Sequence, residues 1–150
     1  YGNLIVLQTL SKAWGAAGIR LGMAFASPEI IAVLNKIKYP YNVNQLTQEK
    51  ALEILNNQSK MEEQLKAILE ERTRLQQELN DLPLIMKIYP TDANFILVRV
   101  DDANAVYAKL ASDGIIVRNR NKVTLCANCL RITVGTPEED DALLKALRKM

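Results

Sequence analysis

No histidine occurs anywhere in the 150 residues, so neither a histidine acid–base pair nor a histidine metal ligand can come from this chain. Cysteine is almost as scarce. Cys126 and Cys129 make one Cys-Ala-Asn-Cys pair, and a single pair with no second pair and no histidine is a weak basis for zinc or redox chemistry. Without a disulfide framework the expected compartment is the cytoplasm. Long apolar runs are missing too: no stretch approaches a membrane span, and no charged segment precedes a signal-type apolar one. No charge sign dominates. Nineteen basic against 17 acidic residues leave a net +2, which gives no general reason to expect nucleic-acid or membrane binding. There is no internal repeat and no low-complexity tract. There is also no initiator methionine: the chain opens on Tyr1-Gly2-Asn3 directly before an apolar run, and the expectation is a piece of a longer protein.

What is present suits a soluble α/β protein. An apolar fraction of 49% and a charged fraction of 24% are ordinary, and 150 residues suffice for a sizeable core. Leu4-Ile5-Val6-Leu7 reads as a short buried strand, Trp14 to Gly22 as a glycine-rich turn, and Leu21 to Ala26 as a second buried strand. Ser27-Pro28-Glu29 opens a helix that runs to about Lys38, with Ser27 as cap and Glu29 at the positive end of the dipole. Tyr39-Pro40-Tyr41 is a connector whose tyrosines read first as packing residues, with a place at a substrate entrance or against a partner subunit as the alternatives. From about Gln45 to Asn80 leucines recur at three- and four-residue steps, which predicts two helices broken near Asn56 to Ser59, with too few heptads for a coiled coil.

Beyond Pro83 strands and helices mix. Ile85–Ile88, Asn94–Val100, Ile115–Arg118 and Leu130–Val134 are predicted strands; Asn104–Ser112 and a segment opening at Thr136-Pro137-Glu138 are predicted helices. Residues 46–150 should fold around their own core. Residues 1–45 should not, because their strands need parallel neighbours that this chain does not contain.

The chemistry concentrates in Ser11-Lys12-Ala13-Trp14-Gly15-Ala16-Ala17-Gly18-Ile19-Arg20-Leu21-Gly22. A strand delivers a hydroxyl and a lysine to a glycine-rich bend, and an arginine follows. Such a set can hold a phosphorylated aldehyde: a desolvated lysine amine bonds the carbonyl carbon, while the hydroxyl and guanidinium bind the phosphate. A bland reading stands beside this one, since glycine-rich turns are common and most lysines are solvated. Arg20 between Ile19 and Leu21, and Arg131 between Leu130 and Ile132, are poorly explained as surface charges, because an arginine within an apolar strand wants a carboxylate or phosphate partner.

With Thr9-Leu10 ahead of it, the lysine segment, Thr9 to Gly22, closely resembles the lysine motif of fold-type I pyridoxal-phosphate aminotransferases. Cys129-Leu130-Arg131-Ile132-Thr133-Val134-Gly135-Thr136-Pro137-Glu138 resembles their C-terminal substrate-arginine motif, most like the histidinol-phosphate aminotransferase branch. Ala93-Asn94-Phe95-Ile96 and Gly114-Ile115-Ile116-Val117-Arg118 match in order and spacing, so the resemblance covers essentially the whole chain. It implies the C-terminal part of such an enzyme: residues 1–45 as the trailing part of the large cofactor domain, and 46–150 as connecting helices and a small α+β domain. It also implies pyridoxal 5′-phosphate as cofactor, Lys12 as catalytic residue, and Ser11, Lys12 and Arg20 as cofactor ligands. Arg118 and Arg131 become substrate ligands, with Arg120 as a weaker third.

The implied reaction exchanges an amino group between glutamate/2-oxoglutarate and histidinol phosphate/imidazole acetol phosphate in histidine biosynthesis, in a homodimer. In that family the residues that stack on the cofactor ring lie upstream of the lysine, so this chain should hold about half of an active site. An aromatic aminotransferase, a threonine-phosphate decarboxylase, or a catalytically incomplete binding or assembly fragment are the competing readings. Trp14, where the family often has another aromatic, and the undiagnostic stretch Asn119–Asn128 leave the substrate more open than the reaction type.

Overall fold

A computed structural model describes residues Tyr1–Met150, which form two compact units, Tyr1–Leu65 and Lys66–Met150. In the first unit strand β1 (Val6–Thr9) pairs with β2 (Gly22–Phe25). The pairing is antiparallel, from Val6↔Phe25 to Thr9↔Gly22, so the partner of β1 is neither parallel nor outside the chain, as the sequence had suggested. Strand β1 is shifted two residues from the predicted range while β2 falls within its own, and both are largely exposed: Leu7 is 76% and Phe25 53% accessible. Their expected burial is not met because no layer within the first 65 residues packs over them. The unit's core is small. Leu10, Ala16 and Ala51 are buried, with Trp14, Ile19, Leu21, Met23 and Ile54 packed around them.

Helix α1 (Pro28–Ile37) starts where Ser27-Pro28 predicts, though the Ser27 hydroxyl makes no capping bond to the backbone. Helix α2 (Gln45–Leu55) is capped by Asn44, whose side chain accepts the Thr47 N–H at 2.9 Å. Thr47 Oγ1 in turn donates to Ile19 O at 3.3 Å, tying α2 to the glycine-rich loop. The chain breaks at Asn56 and resumes as α3 (Gln58–Asn80), 23 residues that at 1.5 Å per residue run about 35 Å.

In the second unit, β3 (Ile85–Ile88), β4 (Phe95–Val100), β5 (Arg118–Asn119) and β6 (Cys129–Thr133) form an antiparallel sheet in the order β3-β4-β6-β5. Alternation along each strand sends Ile96, Val98, Val100, Leu130 and Ile132 to one face. There they meet Leu75 and Leu79 of α3, Leu110 of α4 (Ala103–Ser112), and Leu143, Leu144 and Leu147 of α5 (Pro137–Leu147). Leu75 and Leu79 therefore serve this core rather than a coiled-coil seam. The predicted strand at Ile115–Arg118 shrinks to Arg118–Asn119, because the Ile115 N–H is taken by Leu110 O at 2.9 Å. That bond closes the end of α4, and Gly114 at φ +80° permits the turn. Helix α5 begins with a capping box: Thr136 Oγ1 accepts from Glu139 N, and Glu139 Oε2 accepts from Thr136 N at 2.9 Å.

Candidate functional site

The two arms of the first unit continue one step beyond their ladder, where Leu10 N–H donates to Leu21 O at 3.4 Å. Leu10 is 2% exposed and anchors that end. The next residue on each arm is a candidate: Ser11 on one, Arg20 on the other. Lys12 follows inside a tight loop, its carbonyl accepting the Gly15 N–H at 2.8 Å, with Gly15 at φ +61°. Ala16 N–H closes the loop onto Leu10 O at 2.9 Å. The local fold thus gathers Ser11, Lys12 and Arg20 at one end of one ribbon.

Thr9 is a contributor that sequence reasoning missed. Its hydroxyl accepts the Ser11 N–H at 3.1 Å and lies 3.0 Å from Ser11 Oγ and 3.2 Å from Leu21 O. The single Thr9 hydroxyl proton can go to Leu21 O while the Thr9 oxygen still accepts from Ser11, so Thr9 can link Ser11 to the opposite arm. A hydroxyl two residues before Ser11 was the available signal. Arg20 takes a left-handed backbone conformation at φ +56°, uncommon outside glycine, and its Nη1 donates to Ala17 O at 2.8 Å within a single 3-10 turn, Ala17–Ile19. Arg20 is not, as its apolar neighbours suggested, a strand residue. Its guanidinium is exposed.

Neither Lys12 nor Arg20 engages a carboxylate; the ion pairs of the chain lie elsewhere. A hydroxyl, a guanidinium and an amine with no competing acid fit the phosphate and aldehyde of the cofactor that the motif implies. Lys12 is exposed, however. The burial expected around its amine is not supplied by these residues.

In the second unit Arg118 and Arg131 are direct cross-strand partners on β5 and β6, so their side chains leave the same face of the sheet. That face is opposite the core. Leu97 stands across from Arg131 on β4, and Phe95 lies diagonally, its ring centroid 4.9 Å from Arg131 Cζ. Like charges directly opposite each other repel, yet no strand of this sheet carries an acidic residue, and neither arginine forms an ion pair. Arg131 Nε is buried without a hydrogen-bond partner. Arg118 also lines a cavity of about 350 Å³ with Asn104, Tyr107, Asn119 and Lys122.

Arg120 is half-buried and bonds through its main chain to Cys129 O at 2.9 Å. Cys126 and Cys129 are free thiols at a turn closed by Cys129 N–H to Cys126 O at 3.0 Å. Tyr39 and Tyr41 are 83% and 97% exposed, so the packing role assigned to them has no partner within the chain.

Comparison with known proteins gives this geometry its family. The model of aminotransferase class I and II matches residues 1–147. The chain belongs to that family. It is 65% identical over all of its 150 residues to the histidinol-phosphate aminotransferase of Parabacteroides distasonis, spanning 44% of that protein. The crystal structure of the histidinol-phosphate aminotransferase from Clostridium acetobutylicum superposes with a TM-score of 0.91 at 26% identity, over 99% of this chain and 46% of that one. The Sinorhizobium meliloti histidinol-phosphate aminotransferase, solved in complex with pyridoxal-5′-phosphate, gives a TM-score of 0.85 at 28% identity over 99% of this chain and 41% of that one. The fold is that of fold-type I aminotransferases, and this chain spans less than half the length of these relatives. No helix is long and apolar enough to cross a membrane.

Proposed function

We propose that this chain is the C-terminal part of a pyridoxal-phosphate-dependent aminotransferase that interconverts histidinol phosphate and imidazole acetol phosphate, with glutamate and 2-oxoglutarate as the other pair. The observation that carries the reading is the uncompensated Arg118–Arg131 pair. Two guanidiniums on facing strands with no acid in the sheet suit a dianionic phosphate, and exceed what a lone carboxylate needs. In the return half-reaction the same pair takes the carboxylate of glutamate.

When bound, pyridoxal phosphate supplies a ring that withdraws electrons from the substrate's Cα. Ser11 Oγ and the Arg20 guanidinium hold its phosphate. Lys12 would hold its aldehyde carbon, and the Lys12 amine would move the proton at the substrate's Cα. The cover that Lys12 lacks here belongs, in this reading, to the remaining length seen in the relatives. Residues 1–45 belong to the large cofactor domain and 46–150 to connecting helices and the small domain of a cytoplasmic homodimer. The substrates are small molecules, without nucleic acid or membrane.

The exposure of Lys12 favours a second description of the 150 residues taken alone: a half-site that binds phosphate but does not capture the aldehyde. Adding pyridoxal phosphate to this chain and reading its visible absorbance separates the two. For the whole enzyme, the test is amine-donor screening with 2-oxoglutarate. Histidinol phosphate should exceed tyrosine and phenylalanine in kcat/KM by roughly a hundredfold, the worth of one charge-assisted hydrogen bond to phosphate that those donors cannot form. Preference for the aromatic amino acids, or carbon dioxide release from phosphothreonine, would transfer the protein to another branch.

A further inference from the structure

The segment Ala93-Asn94-Phe95-Ile96 stands out in the sequence and has no part in the chemistry above, yet the fold holds it in place with unusual thoroughness. Arg72 Nη1 of α3 donates to Ala93 O at 2.8 Å. Thr91 Oγ1 accepts the Ala93 N–H at 3.1 Å and stands 2.9 Å from Phe95 O, to which it donates. Val134 N–H, just past the end of β6, donates to Asn94 O at 3.0 Å. The main chain around Phe95 is thereby tied to a helix, to its own turn and to the strand that carries Arg131. The ring sits half-buried on the open face of the sheet, paired across the strands with Thr133 and diagonal to Arg131, 4.9 Å from its guanidinium carbon.

An arginine can be immobilised by a carboxylate or by an aromatic face, with different consequences. A carboxylate fixes the guanidinium but neutralises it. A ring fixes it by cation–π attraction and stacking, and leaves the charge and the outer N–H groups free for a ligand. The buried, unpartnered Nε of Arg131 agrees with the second arrangement: its inner edge is turned toward the protein and has no acid there. Without the ring, a side chain with four rotatable bonds would have to be ordered at each binding event.

We propose that Phe95 is a positioning residue for the anion site: its ring holds the Arg131 guanidinium in place without neutralising it, ready for a phosphate or carboxylate. This rests on the reading of Arg131 as an anion ligand and deepens it.

The test uses the full-length enzyme loaded with pyridoxal phosphate. Binding of inorganic phosphate is measured by calorimetry, beside KM and kcat for histidinol phosphate, in Phe95→Leu, Phe95→Tyr, Arg131→Lys and the Phe95→Leu/Arg131→Lys double variant. Phe95→Leu should weaken phosphate and raise KM roughly three- to tenfold, the scale of a cation–π interaction, with kcat little changed. Phe95→Tyr keeps the ring face and should bind within about twofold of the parent. The double variant should bind no more weakly than Arg131→Lys alone, because the ring acts only through the guanidinium. If Arg131→Lys weakens binding while Phe95→Leu does not, or if the two losses simply multiply, the positioning role is overturned and the Arg131 reading stands. Unchanged phosphate affinity and KM in Arg131→Lys would remove that reading, and this inference with it.

Discussion

At Lys12 the chemistry turns on one proton. The Lys12 amine stands on an exposed loop, and only an uncharged amine attacks a carbonyl, so the loop geometry alone does not make a nucleophile. What the loop does make is a fixed address: Leu10 anchors it, and Gly15 bends it. In the full-length enzyme Lys12→Ala should lower kcat by at least about a thousandfold and remove the cofactor's lysine-dependent visible band, and Lys12→Arg should not restore either. A full-strength band in Lys12→Ala would take Lys12 out of the role.

The arginine pair makes a graded prediction. Arg118→Ala and Arg131→Ala should each raise KM for histidinol phosphate about ten- to a hundredfold, the worth of one charge-assisted hydrogen bond at ~1.5–3 kcal/mol. Their effect on a neutral aromatic donor should be smaller. At this scale the closeness of Ser11, Lys12 and Arg20 was legible from sequence, because they lie within ten residues around a glycine bend, whereas their roles came only from the resemblance. The Phe95 ring beside Arg131 was not legible. That pairing is a diagonal across β4 and β6, and depends on a register that no local pattern encodes.

Helix termini and the carboxyls between them decide matters at the next scale. The start of α5 was readable from Thr136-Pro137-Glu138, since capping is a local signal, whereas the loss of strand at Ile115–Val117 was not. There the backbone donor had been claimed by the end of α4. Thr136→Ala should cost the second unit about 1 kcal/mol, read from urea unfolding, by freeing the Glu139 N–H.

Between α3 and α5 lie two acids that no pattern marks as buried, Glu71 at 8% and Asp140 at 2% exposure. Arg74 grips Glu71 through Nε at 3.0 Å and Nη2 at 2.6 Å, reaches Asp141 at 2.8 Å, and holds the Glu71 carboxyl below its usual range. Asp140 moves the other way. Burial raises it to about 6, against the Gly135 N–H at 3.2 Å, which favours its charged form, and with Glu71 adding to the rise. An acid raised on folding binds its proton more tightly in the native state. Its contribution is therefore present below pH ~4 and lost as pH climbs toward 6. Glu71 has the opposite sign, giving stability above its ordinary pKa that falls away in acid. Asp140→Asn, which keeps an acceptor for Gly135 and a donor toward Glu71, should flatten the decline between pH 4 and 6. That decline is bounded by ~1.4 kcal/mol per pH unit for one proton. An identical decline in Asp140→Asn would assign it to other groups.

For the whole molecule, the two units differ sharply in what holds them. The second buries seventeen apolar residues in one cluster, drawn mainly from β4, β6 and three helices, and α3 is pinned to α5 by the Arg74–Asp141 and Arg148–Glu78 pairs. The first buries three: Leu10, Ala16 and Ala51. Against them stand Leu4, Ile5, Val6, Leu7, Phe25, Val33, Ile37 and Leu52, each at least 43% exposed. Ordering a residue's backbone costs about 1–2 kcal/mol, and a fully buried aliphatic side chain returns about 1.5–3 kcal/mol, so three small burials cannot hold 65 residues. Apolar strands near Leu4 to Leu7 and Leu21 to Ala26 were legible from sequence; the place of β1, the exposure of both strands and their antiparallel pairing were not, because the chain path and what packs outside the segment set them. Residues 58–150, with α3 entire, should therefore unfold in one cooperative thermal transition with slow amide exchange in β4 and β6. Residues 1–57 expressed alone should show no cooperative transition and should bind a hydrophobic dye. A sharp melt in that short piece would mean that the β1–β2 ribbon and α2 stabilise each other far beyond what their buried area supplies, and the exposed apolar strands would then need another explanation than missing cover.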